Sequence, residues 1–472
     1  MRIAQINIIA TLSTGRIAVQ LCRMAEEAGH KALMCYSRKH APADLNSYRI
    51  GSSLHLRQKP GKSPSRFKRK RMEWIDAFRC LRNMGLHWLG SKLLDRTGFF
   101  SRLPTKRLIR QLEKFKPDIV HLHNIHGYYL YLPRLFQYLK ENDIPVVWTL
   151  HDCWAFTGHC AYYTEALNAP PSGAVRRRRS KQPTLGCDRW KTGCGHCVLK
   201  HAYPSSWILD RSAKNWADKR NLFCGLKHMV LTTPSQWLHD EVKQSFLKNY
   251  PVYTLYNGVD LNIFKPCASE EYLEQAIRAY GLEGLGQRRL VLSVAAVWDE
   301  RKGLNDLITL AEKLGDDYCV AAVGLSKKQL KALPPHTVLG IPRTSNVTDL
   351  CALYTAADVY VSASSEETFG MTLVEAMACG TQVLCYNATA MPELVTGDVG
   401  EVVPLRNVDA LADAVRRLCE NPRDPQACID RAAEFDLDER FGAFMRLYEK
   451  MYRFSPAYQA ALDRANQPSE DD

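Results

Sequence analysis

No uninterrupted apolar stretch in these 472 residues approaches the roughly 20 needed to cross a bilayer. The opening MRIAQINIIATLSTGR has one early Arg and a short apolar run cut by Asn7 and Thr11. It reads as a first buried strand rather than a secretion signal. Without an export signal the expected compartment is the cytoplasm, and the 16 cysteines then point to free thiols or metal rather than disulfides. No repeat at solenoid periods is present. A full GxGxxG is missing too; Ser13-Thr14-Gly15-Arg16 is only a short glycine turn, which argues against a dinucleotide enzyme. The one Asp-x-Asp, Asp436-Leu437-Asp438, stands just before the final helical pattern and reads as capping chemistry. No side chain stands out as a covalent nucleophile.

The chain is too long for one typical core, so two domains are expected. At 46% apolar residues it is globular rather than disordered. A net charge of +13 calls for an anionic partner. Much of the excess lies in Arg57–Arg82 (with Arg66, Lys68, Arg69, Lys70 and Arg71) and in Arg176–Lys181. The first run leads into Trp74, Ile75, Phe78, Leu81, Leu86, Trp88, Leu89, Leu93 and Leu94 at broadly helical spacing. Such a basic amphipathic segment reads as a membrane-surface element, or else as a solvated face over an ordinary helix. Nucleic acid is not the expected partner, because the aromatics are placed to bury rather than to alternate with charge.

Strand-like apolar runs recur at Ile3–Ile9, Asp118–Leu122, Pro145–Leu150, Met229–Thr233, Val252–Tyr256, Leu290–Ala295, Tyr318–Val323, Val338–Ile341, Asp358–Ser362 and Thr381–Cys385. Helical patterns such as Ile17–Ala28, Leu304–Leu314, Asp349–Ala356 and Ala410–Leu418 separate most of them. Near-continuous apolar strands alternating with helices signal α/β architecture with doubly wound parallel sheets. The break between halves is expected near Tyr250–Asn262, before the Pro-punctuated Phe264-Lys265-Pro266.

The densest signal is ASSEETFGMTLVEAMACGTQVLCY, residues 363–386. Glu367 and Glu375 flank Phe369-Gly370-Met371, between a strand-like run and a helical one. Strand, glycine turn and helix start present free backbone N–H groups that suit a phosphate, and paired carboxylates beside them suit hydroxyls. Thr372-x-x-Glu375 also fits a capping box, in which case Glu375 merely satisfies the helix start. The stretch resembles the Glu-x7-Glu signature of retaining family 4 glycosyltransferases. That resemblance implies the GT-B fold, two Rossmann-like domains facing across a cleft. It implies that Glu367 contacts the donor sugar, Glu375 the nucleotide ribose, and the backbone of Gly370, Met371 and Thr372 the diphosphate, with Phe369 in the same motif.

The same resemblance implies further roles. Lys302 before Gly303 would neutralise the diphosphate; the family's Arg about six positions earlier is replaced by Ala296 or Val297, leaving Arg301 as the available second cation. "WTLHD" resembles the first-domain stretch whose His lines the sugar pocket, here His151. His121, His123, Asn124 and His126 at another strand end would be acceptor-side or shaping residues. Gly15 faces the donor, and Gly324 and Arg343 stand at strand ends where the family binds the base. "NGVD" at Asn257–Asp260 resembles the family's hinge. The implied division is 1–253, carrying a basic insertion over 50–110 and a Cys-rich one over 153–200 and completed by helix 441–465, then 254–440 for the nucleotide sugar.

Cys153, Cys160, Cys187, Cys194 and Cys197 cluster with His159 and His196. Cys194-x2-Cys197 is knuckle-like, and with Cys160 and Cys187 it would complete a tetrahedral structural zinc site; reduced packing cysteines are the rival reading. "HDCWAFTGHCAYY…GCDRWKTGCGHC" resembles a bacterial polysaccharide subgroup of these transferases, including colanic-acid-type enzymes. The implied function is transfer of a sugar from a UDP- or GDP-sugar to a saccharide or lipid-linked saccharide, with retention, without a catalytic cofactor, in the cytoplasm or peripherally on the inner membrane face. A GT-B epimerase or phosphorylase, and a zinc-bearing membrane scaffold with a vestigial sugar site, are the alternatives.

Overall fold

The computed structural model describes residues 1–11, 13–51, 84–164 and 186–465. The Arg66–Arg71 cluster with Trp74, Ile75, Phe78 and Leu81, the Arg176–Lys181 run and the polar tail from Gln467 lie outside the described residues. Two fully parallel sheets organise the chain. The first has seven strands in the order β3-β2-β1-β4-β5-β6-β7, formed by β1 (Arg2–Ile6), β2 (Lys31–Tyr36), β3 (Ser47–Arg49), β4 (Ile119–Leu122), β5 (Val146–Thr149), β6 (Met229–Thr233) and β7 (Val252–Thr254). The second has six in the order β10-β9-β8-β11-β12-β13, formed by β8 (Arg289–Val294), β9 (Tyr318–Val323), β10 (Val338–Ile341), β11 (Val359–Ser362), β12 (Val383–Tyr386) and β13 (Gly400–Val403).

The order of the strands across the sheet reverses between β1 and β4 in the first sheet and between β8 and β11 in the second. Such switch points open a crevice beyond the carboxyl ends of the strands, where ligands of this architecture sit. Both sheets bury both faces: β4, β5, β11 and β12 consist of buried residues throughout. That is why they read as apolar runs rather than as alternation. Strands β2, β3 and β13 escape the sequence reading. β3 has three residues, with Ser47 and Arg49 on either side of Tyr48, and β13 opens on Gly400-Glu401, so neither edge strand forms an apolar run.

The helix Leu437–Tyr452 buries Phe441, Phe444, Leu447, Tyr448 and Met451 in one cluster with Ile3, Ile119, Val147 and Val230 of the first sheet. This apolar stripe contributes on the order of 10 kcal/mol before the entropy of ordering is subtracted. Asp436 caps it, its carboxylate accepting from Asp438 N at 3.0 Å and Glu439 N at 3.1 Å, so the Asp-x-Asp is spent on the helix start. The expected single helix to 465 is two: Leu437–Tyr452 gives way at Arg453–Ser455 to Pro456–Ala465, with Pro456 opening the second. The NGVD stretch meets this helix start: Val259 N donates to Phe435 O at 2.9 Å and Leu437 N to Val259 O at 3.1 Å. A Cβ on Gly258 would stand 2.4 Å from the Leu437 Cα, so only glycine permits the crossing. Among the described residues no helix is long and apolar enough to cross a membrane.

Candidate active site

The second half of the chain builds its part of the candidate site at the ends of β8 and β11. After β8 the chain makes a short turn, Glu300–Lys302, closed by Gly303 at φ 75°. A Cβ on Gly303 would lie 2.1 Å from the Ala363 carbonyl oxygen, so the glycine lets the lysine turn abut the end of β11. Lys302 Nζ consequently forms an ion pair with Glu367. Burial pushes the Glu367 carboxyl up, but the charges of Lys302 and then Arg301 outweigh it and hold the group below its ordinary value. Arg301 is held in place by partners on both sides. Its Nη1 donates to Glu366 O at 2.7 Å, its Nη2 to Asp299 at 3.2 Å, and the guanidinium lies 3.9 Å from the centre of the Tyr162 ring.

Gly370, at φ 111°, is the N-cap of the helix Met371–Ala378, and no side chain caps that helix. The first-turn amides of Met371 and Thr372 therefore have no side-chain acceptor, the condition for an anion site. The capping-box alternative for Glu375 falls with it, because the cap is Gly370 and not Thr372. Glu375 instead accepts a hydrogen bond from the Tyr354 hydroxyl at 3.1 Å. Burial raises its pKa to about 7, against the hydrogen bond from Tyr354 and the charge of Arg16 from the first half. Phe369 turns away from this surface and packs between Tyr256 and Phe435. Gly324, at φ 98°, has room for no side chain, since a Cβ would meet Ala295 O at 1.9 Å; Arg343 stands exposed just past β10.

The first half contributes the loops after β1, β4 and β5. His123, Asn124, His126, His151, Asp152 and Trp154 line a small cavity there. Gln5 Oε1, His123 and His151 form a chain, with 2.8 Å from Gln5 to His123 Nε2 and 3.0 Å from His123 Nδ1 to His151 Nε2. Burial holds His123 well below the ordinary histidine range and takes His151 to about 4, so both imidazoles are neutral at pH 7. His126 Nε2 bonds Asp152 at 2.8 Å and its Nδ1 faces the Tyr203 hydroxyl at 3.2 Å. His121 shares a face with His123, as strand alternation dictates, but both its nitrogens are engaged, by Tyr448 at 2.6 Å and Thr149 at 2.7 Å. It ties the helix Leu437–Tyr452 to the sheet. Gly15 also serves packing: a Cβ there would lie 2.9 Å from Ile9 O.

The two halves touch at this point. The Thr368 hydroxyl donates to His151 O at 3.0 Å, joining the loop that carries Glu367 to the loop that carries the pocket histidine. Beside it, the buried Glu366 carboxylate accepts from the backbone N–H groups of Tyr163 and Thr164, both at 3.1 Å, and from the Thr164 hydroxyl at 2.5 Å. Gln5, Asn7, Tyr162 and Glu366 are contributors that the sequence reading missed. Asn7 ties the loops after β1 and β4 together through Thr14 and Asn124. Gln5, Tyr162 and Glu366 carry no local mark, since their partners lie far away in the chain.

The four cysteines of the expected thiolate site, Cys160, Cys187, Cys194 and Cys197, are free thiols. Among the described residues no group of three or more His, Cys, Asp or Glu side chains is placed to hold a metal ion. Cys160 is buried in the first core, and the Cys194 sulfur accepts from Gly158 N at 3.1 Å. The four thiols are near enough that Cys197, Cys194 and Cys187 help burial to push the Cys160 pKa up.

A pattern described as "Glycosyltransferase Family 4" matches residues 14–263, more than half of the chain, and one described as "Glycosyl transferases group 1" matches 283–435. The chain belongs to glycosyltransferase family 4. It is 25% identical over 297 residues to the putative colanic acid biosynthesis glycosyl transferase WcaC of Escherichia coli, covering 61% of this chain and 64% of that protein. It is 34% identical over 242 residues to the GDP-mannose-dependent alpha-(1-6)-phosphatidylinositol dimannoside mannosyltransferase of Mycobacterium tuberculosis, covering 50% of this chain and 61% of that one. The family 4 chain thus spans less than two thirds of the length of these curated relatives. Sucrose-phosphate synthase from Thermosynechococcus elongatus superposes with a TM-score of 0.61 at 17% identity, covering 96% of this chain and all of that one. Anabaena HepE in complex with UDP gives 0.59 at 14% identity, with 95% and 100% covered. At such identities the likeness is one of fold, and the fold is GT-B.

Proposed function

We propose that this chain transfers a sugar, with retention, from a nucleotide-sugar donor to a saccharide or lipid-linked saccharide in bacterial polysaccharide biosynthesis. The observation that carries the reading is the junction of Thr368 with His151, which sets the Lys302–Glu367 pair against a histidine-lined pocket of the other half. The names of the relatives agree with it: WcaC for colanic acid, a GDP-mannose-dependent enzyme, and HepE bound to UDP. In this reading residues up to β7, completed by the last helices, take the acceptor, and 254–440 hold the donor.

Glu367, kept ionised by Lys302, accepts from donor-sugar hydroxyls, and Glu375 from the ribose. Lys302, Arg301 and the amides of Met371 and Thr372 take up the charge that develops on the departing diphosphate. Neutral His151 shapes the sugar pocket and offers a hydrogen bond rather than a proton. The acceptor hydroxyl then attacks from the side the diphosphate leaves. A lipid-linked acceptor would bring the chain to the inner face of the cell membrane. Thermal stabilisation by a panel of UDP- and GDP-sugars, followed by turnover with membrane lipid extract, tests this. One donor should stabilise and react, with transfer unaffected by chelator and lost in Glu367→Ala. Transfer undiminished in that variant, or no donor recognised at all, overturns the assignment.

A further inference from the structure

The helical stretch 84–94 is amphipathic the wrong way round. Its buried stripe is polar: His87, Ser91 and, just past the end, Asp95 are all but inaccessible. His87 bonds Ser101 at 2.7 Å, and Asp95 holds His159 at 2.5 Å and Arg211 N at 2.9 Å. The outward face carries Leu86, 64% exposed, with Trp88 and Leu89. A helix on a water-soluble surface does the reverse, burying its apolar stripe. The segment after Tyr203 extends the same surface. Trp207 N donates to Lys92 O at 2.6 Å and Leu209 N to Leu93 O at 3.3 Å, which lays Trp207 and Ile208 alongside, 51% and 61% exposed. The Trp207 ring stands edge-on to Trp88 at 5.2 Å.

Contiguous exposed apolar surface of this kind marks an interaction site. The flank decides for what. Gly90 rests on Phe100, and shortly after it comes the helix Arg102–Phe115, with Leu103 in its exposed first turn and an exposed side that carries Arg102, Lys106, Arg110 and Lys114 against the single acid Glu113. Two tryptophans, aliphatic side chains and a basic rim are the composition that inserts into the headgroup region of an anionic bilayer. Tyr203 joins this surface to the pocket: its ring is half exposed, while its hydroxyl faces His126.

We propose that Leu86, Trp88, Leu89, Trp207 and Ile208 form a docking face for an anionic phospholipid surface, which sets the His126 end of the pocket at the membrane. The docking stands by itself; that a lipid-linked saccharide is thereby delivered rests on the transferase reading. Flotation of the full chain with phosphatidylcholine vesicles, with and without phosphatidylglycerol, tests it in the absence of any substrate. The chain should float with the anionic vesicles only, less so at high salt. Trp88→Ser/Trp207→Ser/Ile208→Ser should reduce the bound fraction by roughly tenfold or more, and Lys106→Glu/Arg110→Glu should abolish the salt-sensitive part. Because these side chains already face water, the variants should keep the wild-type melting temperature and turnover of a water-soluble acceptor. Failure of the wild type to float, or equal flotation of the triple variant, overturns the proposal. So does a dimer that the triple variant converts to monomer, since the face would then be a subunit interface. Loss of all transfer with intact flotation would strike the enzymatic reading instead.

Discussion

The pKa of about 7 that burial imposes on Glu375 makes donor affinity depend on pH in a calculable way. A carboxylate grips ribose hydroxyls as an acceptor, so the ionised form is the binding form. It is about one-tenth populated near pH 6 and about nine-tenths near pH 8, so affinity should rise by about ninefold, or roughly 1.3 kcal/mol, across that interval. A nucleotide sugar is the right probe, because its diphosphate is esterified at both ends and does not titrate here. Nor do the neighbours interfere: Lys302 holds Glu367 ionised, and burial holds His151 neutral. Titration calorimetry on the donor found by screening should show the rise, with about half a proton released per donor bound at pH 7 and close to one near pH 6. Glu375→Gln should bind weakly and flatly, whereas Glu366→Gln should retain the slope. Flat wild-type affinity, or the same slope in Glu375→Gln, would refute the assignment of Glu375 to the ribose.

Three further outcomes follow from the same geometry. Lys302→Met should lower kcat about 10²- to 10³-fold with little change in fold stability. Arg301→Gln should lower it too if that guanidinium serves as the second cation, and steady-state kinetics on both variants decide the point. Glu366, buried at the junction of the halves, has its pKa raised to about 7 by desolvation, despite its three donors. The folded state then holds more protons than the unfolded one between about pH 4.5 and 7, so this group's contribution to stability is present at low pH and lost as pH rises through that window. Urea unfolding should find Glu366→Gln gaining on wild type by up to about 3 kcal/mol from pH 5 to pH 8. A difference independent of pH would mean that the carboxyl is ionised throughout.

What the sequence by itself determined is local. Period and punctuation place Met229–Thr233, Tyr318–Val323, Val338–Ile341 and the helix Leu304–Leu314 as found, because strands buried on both faces must be apolar throughout and helices must keep their period. The strand, glycine and helix around Gly370 are equally local, so the turn that we propose cradles phosphate could be read from 363–386 alone. Side-chain direction and partners at long range are decided elsewhere. Phe369 lies inside the motif yet turns into the core, His121 is taken by Tyr448 of the helix Leu437–Tyr452, Cys160 is buried in the first core, and the Cys194 sulfur accepts from a backbone amide. Glu366 is adjacent to Glu367, and only the packing of 163–164 against it distinguishes their roles. The inverted helix 84–94 makes the same point: its spacing shows a helix with an apolar face, but which face meets water depends on Ser101, His159 and Arg211, residues that no local pattern connects to it.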